Sequence, residues 1–147
     1  MSTSEILYVE RANYLATIAD LKSQGYEMCV DVTAVDYLTH MGRQLPDGIV
    51  PQRYEVVVML LSLAKRSRVR IRVQVSEDDP TIETLFFLYP GCEAMEREVY
   101  DLMGIKFVNH PDLTRILMPQ DWEGHPLRKD YSVGAVPVQF KSVNGAG

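Results

Sequence analysis

Five side chains in the second half of the chain have types that could move a proton or hold a metal: Glu96, Glu98, Asp101, His110 and His125. Carboxylates and imidazoles serve both purposes. Their spacing argues against either. Glu96 and Glu98 are two apart on a segment that reads as a helix, about 200° around its axis, so they do not converge. The histidines lack an HxxxH or HExxH spacing, and each precedes a proline. Helix charges and turn histidines are the plainer reading, and a freestanding acid–base enzyme using Glu96, Glu98 and His125 is the chemical alternative. A third reading fixes these charges inside a subunit interface, where an unpaired charge is costly.

Cofactor chemistry has little to stand on. Cys29 and Cys92 form no CxxC, and two thiolates are too few for an iron–sulfur cluster, which takes four protein ligands. A disulfide framework is equally unexpected, and a reduced setting is the default. No GxGxxG or GxxxxGK[ST] loop follows a strand, so no NADH, flavin or ATP site is expected on this chain, and no metal. Lys65, Arg66, Arg68, Arg70 and Arg72 are the only basic run. Sheet modules that bind single-stranded nucleic acid stack bases on aromatics, and residues 62–75 contain none. The net charge of −5 also argues against a general polyanion binder. A solvated strand face is preferred for the basic run, partner contact comes next, and nucleic acid last.

The elements that must position these residues follow from periodicity. At 147 residues, 46% hydrophobic and 24% charged, the chain reads as one soluble globular domain. No apolar run approaches the roughly 20 residues that span a bilayer, and Glu5 follows too soon after Met1 for a signal peptide. Residues 6–9 suit a short strand. Residues 11–24 suit a helix, with Leu15, Ile18 and Leu21 at helical spacing and Gly25 just past its end. Residues 26–38 read as a strand with Met28, Val30, Val32 and Ala34 on one face, and 39–52 as a loop. Residues 54–63 and 67–75 make the clearest hairpin. Its second strand puts Val69, Ile71, Val73 and Val75 on one face and Arg68, Arg70, Arg72 and Gln74 on the other, so the sheet is covered on one side only. Residues 81–89 form a short strand or turn, and Pro90 opens a helix. On that helix Met95, Val99, Leu102 and Met103 form the buried stripe with Cys92 nearby, and Glu93, Arg97 and Asp101 face outward at i, i+4 spacing. The sum is a two-layer α+β domain over residues 1–103, with helices on one face of a mostly antiparallel mixed sheet.

From Gly104 the chain changes character. Pro111, Pro119 and Pro126 each remove a backbone donor and bias the preceding residue away from helix. Yet Ile105, Phe107, Leu113, Ile116, Leu117, Met118, Trp122 and Leu127 must be buried somewhere, on the chain's own surface or on another protein. A long irregular connection of this kind usually has a function. Residues 104–131 are therefore read as a long extended C-terminal arm that is ordered on a partner and mobile without it. A flexible tail follows over 132–147. Trp122, flanked by Arg115, Arg128 and Lys129, is read as an interface anchor rather than core filler.

Residues 96–131 resemble the signature of the C subunit of respiratory complex I, the 30-kDa-subunit family of NADH:quinone oxidoreductases. The matching pieces are Glu96-Arg97-Glu98, Asp101, Gly104-Ile105, His110-Pro111-Asp112-Leu113, Arg115-Ile116-Leu117-Met118-Pro119, Asp121-Trp122 and Gly124-His125-Pro126-Leu127-Arg128-Lys129-Asp130-Tyr131. The likeness extends more weakly back to Leu7, through residues 31–37. It departs at Ala94 and Met103, which bear on local helix packing. The resemblance implies a structural or assembly subunit of the peripheral arm of a proton-translocating complex, supporting the quinone-reducing module. It implies no redox centre here, with NADH, FMN, iron–sulfur clusters and quinone handled by other subunits. The implied partners are the large quinone-site (D) subunit and neighbouring peripheral-arm subunits, met through Glu96, Arg97, Glu98, Asp101, His110, Arg115, Trp122, His125, Arg128, Lys129 and Asp130. The implied place is the cytoplasmic face of a bacterial inner membrane, reached only through the complex. The equivalent subunit of a related membrane-bound hydrogenase or dehydrogenase complex is the alternative.

Overall fold

The computed structural model describes residues 3–132. Its centre is the hairpin of β3 (Tyr54–Ser62) and β4 (Ser67–Val75), paired antiparallel from Tyr54 opposite Val75 to Ser62 opposite Ser67. Strict alternation in β4 fixes this register, because a slip of one residue would turn Val69, Ile71, Val73 and Val75 to the wrong face. β1 (Thr3–Tyr8) joins β4 in parallel and β2 (Met28–Asp36) joins β3 antiparallel, giving the order β1-β4-β3-β2. Helices α1 (Tyr14–Ser23) and α2 (Glu93–Met103) contribute Ile18, Leu21 and Val99 to one core with Val56, Val58, Leu60, Val69, Ile71 and Val73. This is the two-layer α+β arrangement expected, with one parallel pair in a mostly antiparallel sheet. No helix among the described residues is long and apolar enough to cross a membrane.

Four local differences matter. The register of β2 shifts between Cys29 and Asp31, so Met28 faces Leu61 while Val32 faces Val58. That bulge puts Met28 on the opposite face from Val32, and it leaves Val30 47% exposed. Tyr14, not Leu15, supplies the first buried residue of α1. A second, two-stranded parallel sheet pairs β5 (Thr81–Glu83) with β6 (Lys106–Val108). Ile105 and Phe107 join the core there, so residues 104–108 belong with the globular domain and the arm begins after them. Finally, the arm is irregular as expected, but its described part folds back along α2 instead of leaving the domain. The expectation of a flexible tail falls almost wholly on residues 133–147, outside the described residues.

Candidate functional site

Any helix leaves its last four carbonyls without intrahelical partners. In α2 all four are taken. Gly104 N–H donates to the Tyr100 carbonyl at 2.9 Å, Leu127 N–H to Leu102 at 2.9 Å, and Arg128 Nε to Met103 at 2.8 Å. The Asp101 carbonyl accepts from Arg115 Nη1 at 3.0 Å and from His125 Nδ1 at 2.9 Å. Since a carbonyl only accepts, His125 carries its proton on Nδ1. Burial holds the His125 pKa below its ordinary value, which favours this neutral ring. Two guanidinium groups thus sit at the negative end of the helix, where cations are stabilised. Gly104 makes the approach possible. Its φ is +77°, and a Cβ there would fall on the Arg128 guanidinium and 2.6 Å from His125 Cδ2.

Asp101 is the second half of the clasp. It was expected on the outer face of α2, but it is fully buried. Its Oδ1 pairs with Arg115 at 2.7 Å, and its Oδ2 accepts the N–H groups of Ile116, Leu117 and Met118 at 3.1, 2.7 and 2.8 Å. The physical reason is the arm itself: residues 115–118 have no regular structure, so their amides need an acceptor once covered. Burial alone would raise the Asp101 pKa, but the three amides and Arg115 outweigh it and hold the carboxyl below its ordinary value. One turn earlier, Arg97 donates to the carbonyls of Thr114 at 3.1 Å and Arg115 at 3.0 Å, and pairs loosely with Glu93 at 3.4 Å. Arg97 and Asp101 therefore bind the carbonyls and the amides of one continuous segment.

A third contact ties the end of the arm to the sheet. Asp36 Oδ2 accepts the Lys129 N–H at 2.8 Å, and Asp36 binds Arg53 through two contacts of 3.0 and 2.9 Å. Arg53, only 4% exposed, also pairs with Asp130 and Glu77, each at 2.7 Å. Neither Asp36 nor Arg53 was picked out by its chemistry. Asp36 lay in the stretch carrying the weaker resemblance. Arg53 stands alone at a loop–strand junction, which gives no periodic sign of its role.

The remaining candidates are placed apart. Glu96 is fully buried, accepting the Thr84 hydroxyl and the Leu85 N–H, and burial raises its pKa. His110 accepts the Asp112 N–H on Nδ1 and donates Nε2–H to the Glu93 carbonyl at 3.1 Å, 4.0 Å from Glu96. Glu98 is exposed, and His125 is committed to the end of α2. The geometry does not converge Glu96, Glu98 and His125 on any reacting atom. Trp122 is half-buried, with its indole N–H covered and unpartnered among the described residues. Lys129 uses its backbone and leaves its side chain exposed. Among the described residues no group of three His, Cys, Asp or Glu is placed to hold a metal.

The clasp lies within the stretch of the chain that a known family profile matches. The profile described as the respiratory-chain NADH dehydrogenase 30 kDa subunit matches residues 7–136. The C subunit of the NADH-quinone oxidoreductase of Saccharopolyspora erythraea is 43% identical over 91% of this chain and 51% of the relative. Its counterpart in Geobacter sulfurreducens is 49% identical over 75% of this chain and 62% of the relative. The chain thus spans about half to two thirds of the length of these curated relatives. A trypsin-resistant fragment of Nqo5 superposes with a TM-score of 0.65 at 37% identity, covering 74% of this chain and 81% of the fragment. A chain of the membrane-bound sulfane sulfur reductase, an archaeal respiratory complex, shares the fold with a TM-score of 0.78 at 19% identity, over 96% of this chain and 79% of its own. The chain belongs to the 30 kDa subunit family of respiratory-chain NADH dehydrogenases.

Proposed function

We propose that this chain is a structural and assembly subunit of a proton-translocating NADH:quinone oxidoreductase. In this reading it carries no redox centre and no catalytic residue. It docks against the large quinone-site (D) subunit and neighbouring peripheral-arm subunits, on the cytoplasmic face of the membrane, and keeps the quinone-reducing module in shape. NADH, FMN, iron–sulfur clusters and quinone belong to the other subunits.

The observation that carries this is how the signature residues are used. Asp101, Arg115, His125 and Arg128 are bound to backbone groups of their own chain, which suits a frame better than a reacting site. The frame ties down an irregular segment through hydrogen bonds while leaving Ile116, Leu117 and Leu127 40%, 62% and 54% exposed. Apolar side chains displayed on a braced arm are what a partner surface requires.

The test is assembly. Leu117→Ala with Trp122→Ala should lower the amount of whole oxidoreductase recovered from gently solubilised membranes, with circular dichroism of the chain unchanged. Hot-spot truncations of this kind typically cost about 2 kcal/mol or more. Normal assembly with slow turnover would mean that the arm acts on chemistry, and the structural reading would fall. The identity of the copurifying chains also decides between this complex and a related membrane-bound one, which the shared fold makes the second reading.

A further inference from the structure

The face of the sheet away from the helices is only partly covered. At one end Glu55, 1% exposed, is enclosed by Arg72 at 2.6 Å, Gln74 at 2.8 Å and Arg43 at 3.8 Å. Arg43 in turn lies 3.6 Å over the Tyr37 ring, so the loop after β2 closes that end. The other end lies open. Leu61 stands opposite Arg68 and Met59 opposite Arg70, which sets an aliphatic row beside a basic row. With Leu63 and Arg66 from the turn they line a recess of about 430 Å³.

The arginines in this recess differ from most of the others in the chain. Arg11, Arg43, Arg53, Arg72, Arg97 and Arg115 each pair with a carboxylate of the chain. No ion pair among the described residues reaches Arg66, Arg68 or Arg70. In a chain of net charge −5, with 20 acidic against 15 basic residues, acids are not scarce. The basic group faces outward unneutralised, next to Leu63, which is 63% exposed.

We infer that this recess docks an acidic amphipathic helix of a neighbouring subunit, with apolar side chains on Met59, Leu61 and Leu63 and carboxylates on Arg68 and Arg70. Same-face residues along a strand are about 7 Å apart, close to the roughly 5–6 Å between residues i and i+4 of a helix. Two carboxylates one turn apart therefore match the arginine pair. An anionic bilayer would also attract the guanidinium groups. But Met59 and Leu61 are half-buried on the floor of the recess, where a ridge of side chains reaches and a flat lipid surface does not. Aromatic platforms for nucleic-acid bases are missing from β4 and its turn. The inference rests on the reading that the chain works as one component of an assembly.

The experiment uses the full chain in membranes. A benzoylphenylalanine in place of Leu63 is photo-activated in the gently solubilised complex, and adducts are identified by mass spectrometry. The expected adduct is a helical peptide of another subunit with Asp or Glu at i, i+4 spacing. Adducts only to phospholipid, only to residues 133–147 of this chain, or none at all would overturn the inference. In parallel, Arg68→Glu with Arg70→Glu should cut retention of the chain in the complex at least tenfold, while Arg68→Lys with Arg70→Lys retains most of it. If wild type copurifies with the oxidoreductase and the reversed variant does so equally well, this inference alone fails. If wild type copurifies with no oxidoreductase subunit, the functional reading beneath it fails as well.

Discussion

The sheet and the arm are stabilised by opposite means. The sheet buries an alternating row of valines and isoleucines under two helices, through a non-directional effect proportional to area. The arm is held largely by directional contacts: three amides on one carboxylate, three guanidinium groups on carbonyls, and a ring nitrogen on a carbonyl as well. A buried apolar face accepts another aliphatic of similar volume at little cost. A buried carboxylate that has lost its partners, or the reverse, has no cheap substitute.

The sharpest way to break this contrast is to remove Asp101. Asp101→Ala takes the carboxylate from Arg115, which keeps only its backbone carbonyls, and the acceptor from three amides at once, and breaking a buried pair from one side costs about 3–5 kcal/mol. The loss should fall on the arm. Hydrogen exchange should speed up at Ile116, Leu117 and Met118 and leave β3 and β4 protected. Ile71→Val, at about 0.5–1.5 kcal/mol, should do the opposite and lower the protection of the whole domain slightly. If Asp101→Ala melts sheet and arm together, the two regions are one cooperative unit and the contrast is wrong.

Gly104→Ala is the intermediate case. An L-residue in the left-handed region costs roughly 1–2 kcal/mol, and the new Cβ must also displace Arg128 and His125. Urea denaturation should show a loss at the upper end of that range or a little beyond it, with Leu127 the first amide to lose protection. A variant as stable as wild type would show that the clasp can re-form around a side chain.

What could be read from the sequence divides along the same line. Alternation in residues 67–75 placed both faces of the hairpin, because burial leaves a period in the sequence. Val30 misled the same reasoning, since a bulge adds a residue without any sign in composition. Phe107 belonged to a three-residue strand too short for a pattern. The clasp was legible only as a resemblance. Its residues were named, but contacts from side chains to backbone carbonyls follow no period, so Asp101 was set on the wrong face. The meeting of Asp36, Arg53 and Asp130 is long-range and has no local trace at all.

The smallest effect concerns pH, and its sign differs between the regions. Asp101, Asp36 and Asp130 are held below their ordinary values, so their stabilisation is fully present above about 3.9 and is lost as pH falls through their folded values. His125 is also lowered, so its contribution is present above about 6.5 and fades as pH falls through its folded value. Glu96 runs the other way. Burial raises its pKa, so its contribution is full below about 4.3 and is lost as pH rises through the folded value. Acidification from neutrality should therefore loosen the arm before the domain. Protonating His125 sets a third positive charge beside Arg115 and Arg128, and the limb around Leu127 should lose protection first. Residues 116–118 should hold until the carboxylates titrate, and the core beneath Glu96 should gain slightly over the same range. The measurement is the protection factor of each amide between pH 7 and pH 2, since the lowered carboxyls titrate below their ordinary values. His125→Asn, which can still donate to the Asp101 carbonyl but does not titrate, should remove the early step at Leu127 and leave the later one. Parallel loss of protection in sheet and arm, or an early step that survives His125→Asn, would show that the arm is not separately poised.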